Sequence, residues 1–510
     1  MNSGIRKDMD DIYRDDLSTI AKGAGITFFG KIVSGIIQYL YLILLARSLG
    51  AKSLGLLAVG FIVIDFIGII ARFGLEGAVV KFVAAYNGEN EKGKIKGMIL
   101  NSLLISLILS IIMAFLILLF PTSGLTLFGN INNLDMIVKI LSLSIPFYSL
   151  MIILLYSTQG FKNMSYAVYG QNIILPVVNM LMFLLLYYWG FGVESAAWSY
   201  VVATVVGFVF SVFCLKKVFP GMSHVVPVYQ TRQLTSFSFP ILILYIAIYL
   251  ILWTDILMLS HYRSNAEVGI YNAAVKTVVL IKMVITSFVP IFSPIISDLY
   301  NKKESKRLES LYKTANRWTF TISLPIFLLA LLLSREIMLV FGKDFTGAST
   351  VLVILGFAQL VDAGTGLAMV ILNMSGKEKL MMYNSIGVGL FAVLINYLLV
   401  PTYGLTGAAI ANLSTFVVLD FLLMGQIYLI QGIHPYSKKF VNPILCGVVS
   451  FFICLVLNWL LSPLGMYYKS GLIILTFIAI FIIALRIMGM DEDDNYLIGV
   501  IKHKFIKAIA

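Results

Sequence analysis

Apolar runs about twenty residues long recur along almost the whole chain, and no other feature limits its fold so severely. The stretch "TFFGKIVSGIIQYLYLILLA" (27–46) shows the pattern. The hydrocarbon core of a bilayer is about 30 Å thick and a helix rises about 1.5 Å per residue, so about 20 mostly apolar residues cross it. Fourteen such runs lie near 20–46, 54–73, 97–120, 136–160, 166–189, 195–215, 235–261, 268–298, 314–341, 348–374, 380–400, 405–430, 440–461 and 470–489. Of the 510 residues, 60% are hydrophobic and 12% charged, against about 45–50% and 25% in soluble domains. No water-soluble globule of this length could hide so much oil. The sequence specifies an all-α integral membrane protein of about fourteen transmembrane helices.

Basic residues set the orientation. With the N-terminus inside, 27 of the 37 Lys and Arg fall on the inner side and six on the outer: Arg47, Lys52, Arg263, Arg335, Lys343 and Lys469. The other four, Lys31, Lys139, Lys276 and Lys282, lie within spans. This is a positive-inside distribution, and an even span count puts both termini in the cytoplasm. The net charge of +12 therefore predicts contact with anionic membrane lipids, above all at "NKKESKRLESLYK" (301–313), and no nucleic-acid partner. The polar, acidic first twenty residues do not resemble a cleavable signal peptide. The tail "NYLIGVIKHKFIKAIA" (495–510) reads as an amphipathic helix on the inner surface.

Catalytic and metal constellations do not emerge. Cys214, Cys446 and Cys454 sit in apolar runs without ligand spacing and read as small core residues, while the four histidines are scattered. The outer loops are short, the longest being "PTSGLTLFGNINNLD" (121–135), which leaves little room for a membrane polymerase or ligase. The chain reads as a transporter, not an enzyme, with no cofactor beyond a coupling proton or sodium ion.

The first six spans resemble the next six. "AKSLGLLAV" (51–59) aligns with "NAEVGIYNA" (265–273), pairing Gly55 with Gly269 at an offset of 214. "AAYNGENEKGKIKG" (84–97) aligns with "DLYNKKESKRLESL" (298–311), "STQGFKN" (157–163) with "NMSGKEK" (373–379), and "GVESAAW" (192–198) with "GLTGAAI" (404–410). Six is even, so the halves enter the membrane in the same direction as parallel repeats. The expected organisation is a cytoplasmic tail (1–19), an N-lobe of spans 1–6 (20–218), a cytoplasmic linker (219–234) and a C-lobe of spans 7–12 (235–432). Two extra helices (433–489) and the amphipathic tail (490–510) follow. Two such lobes around a central cleft, rocking to open it on alternate sides, make a transporter.

Three segments carry a family resemblance: "LLARSLGAKSLGLLAVG" (44–60), "RFGLEGAVVKFVAAYNG" (72–88) and "NYLLVPTYGLTGAAIAN" (396–412). Over roughly residues 18–435 the chain resembles the polysaccharide transporters, or O-antigen-type lipid-linked oligosaccharide flippases, of the multidrug/oligosaccharidyl-lipid/polysaccharide exporter superfamily. The resemblance implies a flippase in the cytoplasmic membrane. It would move a polyprenyl-(pyro)phosphate-linked oligosaccharide from the inner to the outer leaflet for surface polysaccharide biosynthesis. Polysaccharide polymerase or assembly proteins would be its partners. A lipid-linked peptidoglycan-precursor flippase and a multidrug/cation antiporter of the same superfamily are the alternatives. The antiporter would carry unpaired carboxylates in the first lobe and usually twelve spans.

Charges at membrane depth cost about 2.5–3.5 kcal/mol on insertion scales and usually face a cavity or a partner. Lys31 and Asp65 lie at similar depth on adjacent spans 1 and 2, and Asp255 and Lys276 on adjacent spans 7 and 8, so each couple is expected to pair or gate. Lys282, central in span 8, has no carboxylate near it on span 7 and calls for an anionic ligand or a partner from elsewhere. Lys31, Lys276 and Lys282, with Arg72 at the inner end of span 2, are the candidate lining for an anionic headgroup. Asp362 and Asp420, with Asn396 and Asn412 as neutral neighbours, are candidates for a proton or sodium site. Protonation or pairing inside the bundle is the other reading of those two acids.

Overall fold

The computed structural model describes residues 2–119, 134–461, 463 and 465–488, with side chains from Gly30 onward except at 290, 291, 294 and 378. Most of the loop 121–135 and the whole tail 490–510 lie outside the described residues. What is described is helical, as the apolar runs require. The helices are α1 (Asn2–Arg72), α2 (Leu75–Gly88), α3 (Lys92–Leu119), α4 (Leu134–Ser142), α5 (Ser144–Gly160) and α6 (Ser165–Ala167). A π-helical turn (Val168–Ile174) leads into α7 (Leu175–Tyr188), followed by α8 (Glu194–Val218), α9 (Thr231–Tyr262), α10 (Asn265–Asn301) and α11 (Ser305–Leu332). The chain ends with α12 (Ser334–Leu339), α13 (Ser349–Thr365), α14 (Ala368–Met374), α15 (Glu378–Gln431), α16 (Val441–Leu460) and α17 (Met466–Ile487).

By length and composition, eleven of the described helices can cross a membrane, or twelve if α4 and α5, bent by 42°, form one span. Fourteen crossings are not established by this count, and the difference lies in two helices. The apolar part of α1 runs 43 residues and that of α15 runs 53, each about twice what one crossing takes. Each contains one residue off the helical path, Gly50 (φ 76°, ψ 172°) in α1 and Gly404 (φ 56°, ψ −129°) in α15. A positive φ is open to glycine at little cost, so the chain can change direction there without a loop.

Packing divides the chain into two compact units, residues 1–276 with 382–411 and residues 277–381 with 412–510. They cut across the sequence repeat. The first unit has a core of Leu75, Val79, Val83, Met98, Ile99 and Ile153, all fully enclosed. Its helices approach closely through small buried residues: Ser157 of α5 and Ser211 of α8 return their hydroxyls to their own helix carbonyls at 2.7 Å, which leaves no polar atom to separate the neighbours. The second unit packs α11, α16 and α17 around Phe320, Leu324, Cys446, Cys454 and Phe477. All three cysteines are buried and free.

Inside the first unit the repeat leaves a physical trace. A Cβ on Gly55 would stand 1.8 Å from the Asn265 carbonyl oxygen, and one on Gly269 would stand 2.0 Å from the Ala51 carbonyl oxygen. Ala51 and Asn265 are themselves partners at the offset of 214. The contact is therefore reciprocal, as at any two-fold contact, where residue i meets j′ and j meets i′. Spans 2 and 8 cross there, backbone against backbone. The linker is also fixed: Val228 N–H donates to the Gly93 carbonyl at 2.9 Å, Lys96 Nζ to the Val225 carbonyl at 2.8 Å, and Asn101 Nδ2 to Thr231 Oγ1 at 2.8 Å.

Candidate functional site

Below the glycine crossing, Asp65 follows Gly55 by ten residues and Lys276 follows Gly269 by seven, so they lie about 15 and 10 Å deeper along their helices. Both side chains are exposed, although each stands at mid-span. Asp65 is attracted by both Lys276 and Arg72, without closing a direct ion pair among the described residues. The Lys276 ammonium stands 5.0 Å from the centre of the Trp253 ring, a cation–π contact that keeps it in place without neutralising it.

The expected pairings between consecutive spans do not form. Span 2 packs against span 8 through Gly55 and Gly269, so Asp65 meets Lys276 and not Lys31. Lys31 is exposed on α1 and makes no ion pair among the described residues. Asp255 is buried, accepting the Tyr271 hydroxyl at 2.7 Å and the Ile256 amide at 2.7 Å, which removes it from the accessible charges. Arg72 is more than a helix-end anchor. Its Nε lies 3.3 Å from Glu76 Oε1 with the two side chains 12% and 7% exposed, its guanidinium covers the Tyr148 ring at 5.4 Å, and its Nη1 is enclosed without a partner.

The second unit holds another cluster. Lys282 of α10 acts electrostatically on both Asp362 of α13 and Asp420 of α15, and the two acids act on each other. Lys282 thus has carboxylates within reach, supplied by spans 10 and 12; its Nζ also lies 5.2 Å from the Phe416 ring centre. Asp420 is buried with Oδ2 unpartnered. Beside it α13 ends at Thr365, the chain turns at Gly366 (φ 70°, ψ −130°), and α14 resumes at Ala368. Thr365 Oγ1 faces the Asp420 carboxylate and donates to the Asp362 carbonyl at 3.0 Å, while Tyr312 donates to the Thr365 carbonyl at 2.9 Å. The carbonyls at the break are thus engaged, the Asp362 carbonyl also accepting the Gly366 N–H at 3.0 Å, and the oxygen left without a partner beside them is Asp420 Oδ2. Asn396, expected as a neighbour, belongs to the first unit and gives its amide to Ala392 of its own helix at 2.9 Å. Asn412 belongs to the second unit and is half-buried.

Sequence reasoning missed Trp253, Tyr148, Thr365 and Gly366. Tyr148 gave no signal of its own, but "DAGTG" (362–366), two glycines inside an apolar run, was a legible sign of a broken span.

The family described as "Polysaccharide biosynthesis protein" matches residues 20–300, more than half of the chain. The chain belongs to that family. The "MatE" family matches residues 240–398. An uncharacterised membrane protein of Methanocaldococcus jannaschii is 23% identical over 94% of this chain and 98% of its own length. Two proteins of Haloferax volcanii also match: the probable low-salt glycan biosynthesis flippase Agl15, 27% identical over 37% of this chain and 40% of its own, and the probable flippase AglR, 22% identical over 57% and 60%. Among solved structures, the lipid II flippase MurJ in an inward closed conformation superposes with TM-score 0.71 at 17% identity, covering 92% of this chain and 98% of that one. An inward-facing multidrug resistance MATE transporter of the MOP superfamily gives 0.64 at 16% identity, covering 80% and 99%. The fold is that of the multidrug/oligosaccharidyl-lipid/polysaccharide exporters.

Proposed function

We propose that this protein moves a polyprenyl-(pyro)phosphate-linked oligosaccharide from the inner to the outer leaflet of the cytoplasmic membrane, by alternating access of its two repeats and with both termini in the cytoplasm. The observation that carries the reading is the exposed Asp65–Lys276 couple at span depth. Each sugar hydroxyl costs several kcal/mol to move dry into hydrocarbon, and a charged phosphate far more. An interior that solvates the head while the polyprenyl tail stays in lipid removes most of that barrier. Lys276 is the cation for the phosphate, since a compact ammonium gains strongly from a close anion where the dielectric is low. Asp65 balances it when no ligand is bound, and Arg72, whose own charge Glu76 balances, attracts Asp65 from the inner end. The name of the Haloferax glycan biosynthesis flippase supports a glycan cargo, and that of AglR supports lipid inversion. Polymerase or assembly proteins enter only as consumers of the inverted glycan.

Lys282, Asp362 and Asp420 belong to a different task in this reading. Their geometry suits binding and release of a proton or sodium ion that drives the cycle, with the lysine as internal counter-charge when the site is empty. The MatE match over residues 240–398 keeps a drug/cation antiporter as second reading. Liposomes containing the purified protein separate the two. Leaflet exchange of a lipid-linked oligosaccharide, accelerated by an inward proton or sodium gradient, supports the flippase. Gradient-driven efflux of organic cations with no lipid exchange would replace it.

A further inference from the structure

Four tyrosines of the first unit are placed in a way the transport reading does not use. Tyr148 and Tyr156 of α5, Tyr200 of α8 and Tyr245 of α9 are each only half-buried. None of their hydroxyls has a hydrogen-bond partner among the described residues, and none is sealed from solvent. Tyr41 is the contrast, its hydroxyl enclosed. Four phenols with open hydroxyls inside membrane-spanning helices need a polar occupant, because a hydroxyl left dry costs free energy.

Their surroundings say which occupant. Tyr148 and Tyr200 lie within electrostatic reach of Asp65, and Tyr156 and Tyr245 within reach of Glu76 and Arg72. The rings form connected surfaces: Tyr148 to Tyr200 at 6.3 Å, and Tyr249 to Trp253 at 6.3 Å, with the Lys276 ammonium over that indole. On α9, Tyr245, Tyr249 and Trp253 follow at steps of four on one face, a ladder about 12 Å long. Tyr249 is pinned by donating its hydroxyl to the Ile62 carbonyl of α1. Flat apolar faces alternating with free hydroxyls and flanked by charge match a pyranose ring, whose C–H faces are apolar and whose rim is hydroxyl. An organic cation would use the faces and leave the hydroxyls without partners; a bare phosphate would accept from the hydroxyls and leave the faces unused.

We propose that Tyr148, Tyr156, Tyr200 and Tyr245, with the half-buried Trp253 indole that the buried Tyr249 backs, form a saccharide subsite. It stacks the pyranose rings nearest the phosphate and selects glycan-bearing lipid over bare lipid phosphate. The proposal rests on the flippase reading for its cargo, yet it makes a claim about sugar binding that stands apart from transport.

Two measurements test it. In the first, wild type and the Tyr200→Ala/Tyr245→Ala and Tyr200→Phe/Tyr245→Phe variants are reconstituted in liposomes. The rate of leaflet exchange is then compared for a polyprenyl pyrophosphate trisaccharide and for sugar-free polyprenyl phosphate. The ratio of the two rates is expected to fall about tenfold in the Ala variant and by a smaller factor in the Phe variant, which keeps the rings. An unchanged ratio in both overturns the subsite. In the second, quenching of Trp253 fluorescence by soluble gluco-, manno- and galacto-trisaccharides is titrated on the detergent-solubilised full chain, with Trp253→Phe as blank. Saturable quenching by at least one trisaccharide, weakened in the Phe variant that folds like wild type, supports the subsite. Quenching by none of them overturns it. If wild type exchanges neither lipid while a trisaccharide still binds, the flippase reading falls and the saccharide subsite stands.

Discussion

Asp65 and Lys276 are acid and base from spans distant in sequence, brought together by a helix crossing that neither residue specifies. Their types and depth were visible in the chain; their partnership was not, because pairing was inferred between consecutive spans, and the glycine crossing sets span 2 against span 8. Lys282 teaches the same lesson, with its acids arriving from spans 10 and 12. Lys276→Ala removes one charge-assisted contact to the phosphate, about 1.5–3 kcal/mol, so exchange of a lipid-linked glycan should slow about 10- to 150-fold while detergent-phase melting stays near wild type; equal rates would take Lys276 out of the mechanism. Arg72 behaves differently because its pair with Glu76 is buried. Arg72→Ala leaves Glu76 uncompensated and should cost about 3–5 kcal/mol, seen as a lower unfolding midpoint. Arg72→Ala with Glu76→Leu should restore most of that loss, and no recovery would mean that the arginine acts through Tyr148 instead.

Elements were the most legible level. Long apolar runs specify spanning helices almost by themselves, and the described helices fall where those runs lie. Counting crossings is harder, since a glycine such as Gly50 or Gly404 lets one helix run into the next with no polar loop between. Span 10 was read as one crossing, though the glycines flanking Thr365 break it beside Asp362. The reciprocal contact of Gly55 and Gly269 yields a prediction at this level. Either Gly→Ala change forces a Cβ into a backbone carbonyl and should cost about 1–3 kcal/mol. Because both widen the same crossing, the double variant should cost clearly less than the sum of the singles. Additive thermal shifts would show that the two positions do not share one contact.

For the whole molecule, the proposed account is that a wet, charged interior takes a sugar-phosphate head through the bilayer and that a separate acid–lysine cluster supplies the coupling; the family match and the fold shared with exporters fit it. If Asp362 and Asp420 couple transport to an ion, Asp362→Asn with Asp420→Asn should abolish the gradient's acceleration of exchange and leave slow, gradient-independent exchange. Retained acceleration in that variant would place coupling elsewhere. The most direct test of the central claim asks whether position 276 sees water. In a chain with Cys214, Cys446 and Cys454 replaced by Ala, Lys276→Cys should react with a charged, membrane-impermeant thiol reagent in intact membranes, and a lipid-linked oligosaccharide should protect it. A thiol at that position that reacts only after detergent dissolves the bilayer would contradict the account.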